Sequence, residues 1–229
     1  MNVKIIIIII VLLILTQLWR FWRRTVRANY IYSYTFPPGL YEKLQQRRPQ
    51  LTLKDCQLVE QALRQFFLAY LRGGFRFVSM PSQVTDDLWH ELILYTRHYE
   101  LFCNNAFGRF LHHTPAVVLS KDKQNNSGLR RMWWLCCREE NIDPSKPNRL
   151  PLLFAIDHQL NIADGFVYSP NCRALQNKDD SFGLSPYCGT DFSSTDFDGT
   201  TDGFGDSGGG DGDAGDGGGH SCGGGCGGD

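Results

Sequence analysis

The chain opens with an apolar run that predicts a membrane anchor. Residues 5–15 carry no polar side chain, and the stretch 2–22 supplies about 20 residues, roughly the number that a helix needs to cross the hydrocarbon core of a bilayer. Trp19 and Trp22 stand where aromatic side chains favour the interface. A cleaved signal peptide would carry small residues at this point, but arginines follow instead. We therefore expect a single-pass anchor through residues 2–22 rather than a signal peptide or a buried helix.

Apolar residues recur at helical spacing in the body of the chain. A first helix is expected from Thr52, which forms a capping arrangement with Asp55, to the stop at Gly73-Gly74. A second is expected from Pro81-Ser82 to about Asn104, with shorter helices near 129–140 and 152–160. Sustained alternation typical of strands is missing from the sequence. The fold class predicted is therefore all-α: a transmembrane helix, a compact helical domain and a C-terminal tail.

Composition divides the chain into four segments. The expected boundaries give an anchor with its basic flank (1–27), a juxtamembrane linker (28–38), a helical domain (39–176) and an acidic, Gly-rich tail (177–229). The net charge of −1 conceals a balance of +9 before residue 177 and of −10 after it. A tail so polar and glycine-rich cannot bury enough apolar surface to order itself, so we expect it to be disordered.

Charge also predicts location and partners. Four arginines after the anchor outweigh Lys4, so the positive-inside rule places the bulk of the chain in the cytoplasm: Arg20, Arg23, Arg24 and Arg27. In that reducing compartment the eight cysteines are expected as thiols or metal ligands. No nucleic acid partner is expected, because the glycine-rich tail is acidic and lacks arginine.

Residues 80–115 hold four of the six histidines together with Cys103, and His and Cys are ligand types that zinc takes. On one continuous helix, however, His90 and Cys103 would lie about 20 Å apart on nearly opposite faces. Asp86 and His90 share a face at i and i+4, so these two can form a pair. His112, His113 or His158 would join them only through tertiary folding. The ordinary alternative is that His90 takes part in a buried polar contact that holds its helix to the body.

A second candidate metal site lies in the tail. His220, Cys222 and Cys226 are three donors at short spacing, which suit zinc or a local disulfide, although a closed zinc site needs a fourth ligand. The zincin motif is excluded, because Leu94 occupies the position of its second histidine. The Cys136-Cys137 pair beside two tryptophans is expected in the core.

The 80–115 run resembles the core motif of the glycine-rich domain-containing protein family (GRDP-like domain). A later run, 150–157, with Asp164-Gly165 and Tyr168, is also similar to that family, as is a glycine-rich end with His and Cys. The resemblance implies an architecture rather than an activity. It is carried in the first run by Pro81-Ser82, Asp86, Trp89-His90, Leu94, Thr96, Tyr99, Phe102-Cys103, Phe107-Gly108, His112-His113 and Pro115.

Three functions follow as hypotheses. The first is a non-enzymatic, membrane-anchored module for binding or scaffolding, with no catalytic residues assigned. The second is a metal-binding or metal-dependent protein that uses the Asp and His residues of the body or the His and Cys residues of the tail; its cofactor is left unknown, with zinc as one candidate. The third is a hydrolase without a recognisable motif.

Overall fold

The computed structural model describes residues 3–113, 127–170 and 187–192. Within these ranges the all-α prediction is confirmed. A short parallel pairing joins β1 (Tyr168–Ser169) to β2 (Tyr187–Cys188) and leads into a 3-10 turn, Gly189–Phe192. Of the predicted tail, 177–229, residues 187–192 are described: they pack on the sixth helix, and Phe192 is buried in the core, so the folded domain reaches past the expected boundary at 176. The rest of the tail, with the disorder expected of it, lies outside the described residues. The helices are α1 (Val3–Ser33), α2 (Leu40–Arg47), α3 (Leu53–Arg72), α4 (Gln83–Leu94), α5 (Thr96–Ala106), α6 (Ser127–Glu139) and α7 (Leu152–Gln159).

Helix α1 has an exposed apolar half and a packed end. It is long and apolar enough to cross a membrane, and its most apolar stretch has no residue buried within the protein. Packing on the body begins near Arg27, and Ile31 is fully buried in the core. The helix continues to Ser33, through the first part of the segment in which the sequence predicted a linker. The candidate membrane span and the domain therefore share one continuous helix.

Helix α3 is the centre of the domain and contacts α1, α2, α4, α6 and α7. Its predicted capping box is present: the Thr52 hydroxyl accepts from the backbone N–H of Asp55, and the Asp55 carboxylate accepts from the backbone N–H of Thr52 at 2.8 Å. Eleven of its residues are buried, among them Phe66 and Phe67, whose rings contact Trp89 of α4. The helix ends at Gly73, and Gly74 adopts a positive φ of 72°.

The long helix expected from residue 82 to about 104 is in fact two helices that meet at Tyr95. There the backbone leaves helical geometry (φ −81°, ψ 58°), and the Tyr95 N–H donates to Leu92 one residue short of the helical pattern. The Tyr95 hydroxyl donates to the carbonyl of Pro38, ahead of α2, at 3.1 Å. Helix α2 then packs against α4. Apolar spacing passes through the break unchanged, so periodicity alone gave no sign of it.

Candidate metal site

The site is built on the first two turns of α4. Ser82 caps this helix through its hydroxyl, which accepts from the N–H of Thr85. A second cap comes from α7: the Asp157 carboxylate accepts from the backbone N–H groups of Gln83 and Val84 and from the Ser82 hydroxyl. Burial raises the pKa of Asp157, although these donors act in the opposite direction. Because both caps fix where α4 begins, they also fix the position of Asp86 one turn later.

The third member of the site, His113, arrives from the segment that follows α5. The buried Tyr99 hydroxyl accepts from the indole N–H of Trp89 at 3.1 Å and donates to the carbonyl of Leu111 at 2.5 Å. This pair of hydrogen bonds ties the returning segment to α4 and α5. Two residues later, the His113 ring lies edge-on to Trp89, with ring centroids 4.6 Å apart. Trp89 and Tyr99 therefore position His113.

Asp86, His90 and His113 converge. The Nε2 atom of His113 lies 2.8 Å from Oδ1 of Asp86, and the Nδ1 atom of His90 lies 3.6 Å from Oδ2 of the same carboxylate. One ligand atom from each residue falls within 4.8 Å of the other two. The Asp86 side chain is 5% exposed and that of His113 11%, whereas that of His90 is 39% exposed and leaves the cluster within reach of solvent.

One atom of this cluster has no hydrogen-bond partner within the described part of the chain. The Nδ1 atom of His90 is buried, faces the Asp86 carboxylate beyond hydrogen-bond distance, and is otherwise unpaired. A buried polar atom without a partner carries an energetic cost, and such atoms call for an explanation. A cation between Nδ1, the carboxylate and Nε2 of His113 would supply one.

The geometry fits a small transition-metal ion. Zinc binds imidazole nitrogen and carboxylate oxygen at about 2.0–2.2 Å, which places tetrahedral ligand atoms roughly 3.3 Å apart. The separations of 2.8 Å to Oδ1 and 3.6 Å to Oδ2 of Asp86 lie on either side of that value, and one ligand atom from each of the three residues lies within 4.8 Å of the other two, so small side-chain movements would close the site around an ion. Three protein ligands leave the fourth position for water or another small ligand.

Neighbouring acidic residues are neutralised elsewhere. Asp87 turns to the other side of α4, where Arg48 donates to it through Nε at 2.8 Å and also binds Asp164. Glu91 lies within 4.0 Å of Lys43 and Arg47. Asp86 has no arginine or lysine partner among the described residues. The groups that face the Asp86 carboxylate are therefore the two histidines, and an ion bound between them would also contact it.

A family model matches residues 26–192, which is most of the chain and includes every residue of this site. The chain belongs to the UCP032817-like family. The resemblance to the glycine-rich domain-containing protein family is therefore wrong as an assignment, since the match over the helical body is to a different family. A Trp-His pair followed by two histidines about 20 residues later is too short a sequence pattern to assign a family. Neither the curated proteins nor the solved structures contain a match to the chain.

Within this UCP032817-like domain the other predicted site residues lie apart. His112 is exposed and its ring packs against Phe110, with centroids 4.8 Å apart. His158 is exposed at the end of α7. Cys103 is buried behind Tyr99, and burial raises the pKa of its thiol. The tail residues His220, Cys222 and Cys226 lie outside the described part of the chain.

Two positioning residues were missed at the level of sequence. Asp157 follows an apolar run and caps a helix that begins 74 residues earlier, so nothing local marks it as a cap. Tyr99 lies in the sequence among aromatic and charged residues that suggest ligand binding, and nothing local shows that its hydroxyl bonds Trp89 and Leu111 instead. The expected core role of Cys136 and Cys137 agrees with their burial.

Proposed function

We propose that this protein is a membrane-anchored helical domain that binds one divalent transition-metal ion, zinc foremost, through Asp86, His90 and His113. The observation that carries the proposal is the convergence of these three side chains around a buried, unpaired imidazole nitrogen. This makes metal binding, the second hypothesis drawn from the sequence, the preferred one. The open fourth position would let the bound ion contact a small ligand or a partner's side chain.

The membrane topology is also part of the proposal. Val3 to Trp22 would span the bilayer, and the arginines that follow would hold the domain on the cytoplasmic side. Limited proteolysis of intact cells tests the orientation. Cleavage of the tail from outside the cell would contradict it, whereas cleavage only after permeabilisation would support it.

A binding or scaffolding module without metal is the second candidate, and one contact favours it. The 2.8 Å contact between Asp86 and His113 already joins α4 to the returning segment as a hydrogen bond. In that case the cluster would only stabilise the fold, and replacing His90 would change neither the metal content of the protein nor its binding to a partner.

Elemental analysis of the full chain separates these candidates. The chain would be purified in detergent under reducing conditions, equilibrated with zinc and dialysed, and the bound zinc measured per chain. We expect His90→Ala to lose one equivalent while remaining folded, because its side chain is 39% exposed. The matched control is His112→Ala, an exposed histidine outside the cluster, which should retain all bound zinc.

The tail requires its own control. A triple variant with His220→Ala, Cys222→Ser and Cys226→Ser should keep the equivalent that depends on His90. If this variant instead loses all bound zinc while His90→Ala loses none, the ion belongs to the tail and the proposed site is wrong. A wild-type chain that retains no zinc would overturn metal binding altogether.

A further inference from the structure

A large cavity lies where α1 enters the body of the protein. Its volume is about 1070 Å³, and its walls come from α1, from the end of α3 with the turn that follows, and from the second half of α6. Four arginines and a single acidic residue line it, together with aromatic side chains of α1 and α6. The residues that matter are Arg24, Arg72, Arg76, Arg138, Glu139 and Trp134. We call this cavity the arginine pocket.

The arginine pocket lies at the level of the membrane surface. Residues 3–22 form about 30 Å of helix, the thickness of the hydrocarbon core. The headgroup layer adds roughly 5–7 Å on each side, which is about the next three to five residues of the helix. Arg24 lines the pocket at this depth, Phe21 lines it at the end of the hydrocarbon segment, and Ala28 and Tyr32 extend it toward the body. One side of the pocket therefore stands among lipid headgroups.

The turn after α3 brings a second arginine to the same wall. Gly74 and Phe75 have consecutive positive φ values of 72° and 66°, and the second is unusual for a bulky residue. The ring of Phe75 packs on Tyr70, which holds the strained residue in place. The chain reverses there, so Arg76 lines the pocket beside Arg72. Strained backbone is found preferentially at functional sites.

The single acid in the wall of the pocket is already engaged, and the ion pair it makes among the described residues is not with Arg24 or Arg138. Glu139 accepts from the hydroxyl of Tyr32 and pairs with Arg72. Arg138 stacks over the ring of Trp134 at 5.2 Å from its centroid, with its side chain exposed. Arg24 is likewise exposed. Guanidinium groups bind phosphate through paired hydrogen bonds, and the aromatic walls suit the less polar glycerol region of a lipid.

We propose that the arginine pocket binds the phosphate-bearing headgroup of an anionic phospholipid from the membrane in which α1 is anchored. The lipid would enter from the headgroup layer past Phe21, with its phosphate between Arg24 and Arg138. The inference rests on the proposed membrane span of α1 but is independent of the metal site, since none of the metal-site residues lines this cavity. Lipid binding would fix the angle at which the domain sits on the membrane.

Binding of soluble short-chain lipids to the full chain in detergent tests the proposal. Dihexanoyl phosphatidic acid and dihexanoyl phosphatidylcholine would be titrated while tryptophan fluorescence is recorded, with chelator present to exclude metal effects. The double variant Arg24→Gln with Arg138→Gln should weaken phosphatidic acid binding at least about tenfold, because two charge-assisted contacts are lost. Phosphatidylcholine should bind wild type at least about tenfold more weakly than phosphatidic acid, because its headgroup has no net charge.

The matched control removes the same charge beside the pocket. Arg20→Gln with Arg23→Gln alters two arginines of the same helix that do not line the cavity, one of which stacks on Trp19. Its affinity should stay within about twofold of wild type. If both double variants bind phosphatidic acid equally weakly, the effect comes from general surface charge, and the proposal that the arginine pocket binds the lipid is wrong. If inorganic phosphate at the same concentration displaces the lipid, the pocket is a site for free anions, and the lipid proposal is wrong. Thermal melting of each variant confirms that it is folded.

Discussion

Tyr99→Phe removes one oxygen atom from the network that positions His113. Tyr99 is 1% exposed, and burial raises the pKa of its hydroxyl well above the usual value, so the group stays protonated and able to donate. It accepts from the indole of Trp89 at 3.1 Å and donates to the carbonyl of Leu111 at 2.5 Å. The substitution leaves both groups buried and unpaired.

The magnitude follows from those two groups. Each unpaired buried donor or acceptor costs about 1–3 kcal/mol. Leu111 is 8% exposed and lies near the surface, so its carbonyl can recover part of this cost by moving toward water. We therefore expect Tyr99→Phe to lower the free energy of unfolding by about 2–4 kcal/mol. The loosened segment carries His113, so zinc affinity should also fall, by about 10- to 100-fold, the range typical of groups that orient metal ligands.

The assays are urea denaturation followed by tryptophan fluorescence, and zinc titration of the folded variant. Tyr70→Phe is the matched control, because Tyr70 is also buried but its hydroxyl makes no hydrogen bond to the described residues. That control should change stability by less than about 0.5 kcal/mol. The reasoning is refuted if the two variants are equally stable. Lower stability with unchanged zinc affinity would show that His113 does not depend on this network.

Three further predictions concern the frame around the site. Asp157→Asn replaces an acceptor oxygen with an NH2 donor that faces backbone N–H groups at the start of α4. The free energy of unfolding should therefore fall by about 2–4 kcal/mol. A melting temperature equal to that of wild type would contradict the capping role. Arg48→Lys removes the guanidinium group that bonds both Asp87 and Asp164, and urea denaturation should show the free energy of unfolding lowered by about 1.5–3 kcal/mol. Arg47→Lys is the control and should change the free energy of unfolding little, because the side chain of Arg47 is 48% exposed. Thr52→Ala should cost about 1 kcal/mol at pH 7. The Thr52 backbone N–H, which the variant keeps, and the Thr52 hydroxyl, which it loses, both lower the pKa of Asp55. The hydroxyl's share of the stabilisation is present above an unfolded pKa of about 4 and is lost as pH falls through the folded value, so the pH profile of the variant should be shallower than that of wild type but not flat. A profile as steep as that of wild type would count against this reasoning.

Several features could be predicted from the sequence because they depend on local interactions. The apolar run of α1, the capping box at Thr52 and the stop at Gly73-Gly74 each depend on residues within a few positions of one another. The pairing of Asp86 with His90 is local as well, because four residues make slightly more than one helical turn. These features follow from backbone geometry that any helix shares.

Features that join distant parts of the chain were decided by the tertiary structure. Sequence could not choose between His112 and His113, since adjacent residues have the same local context and only the anchoring of Leu111 turns one ring toward Asp86. The cap from Asp157 and the break at Tyr95 have the same origin, because each depends on a partner far away in the chain. Helical spacing therefore brought together two of the three proposed ligands, Asp86 and His90, while the third, His113, depended on packing between residues 27 positions apart.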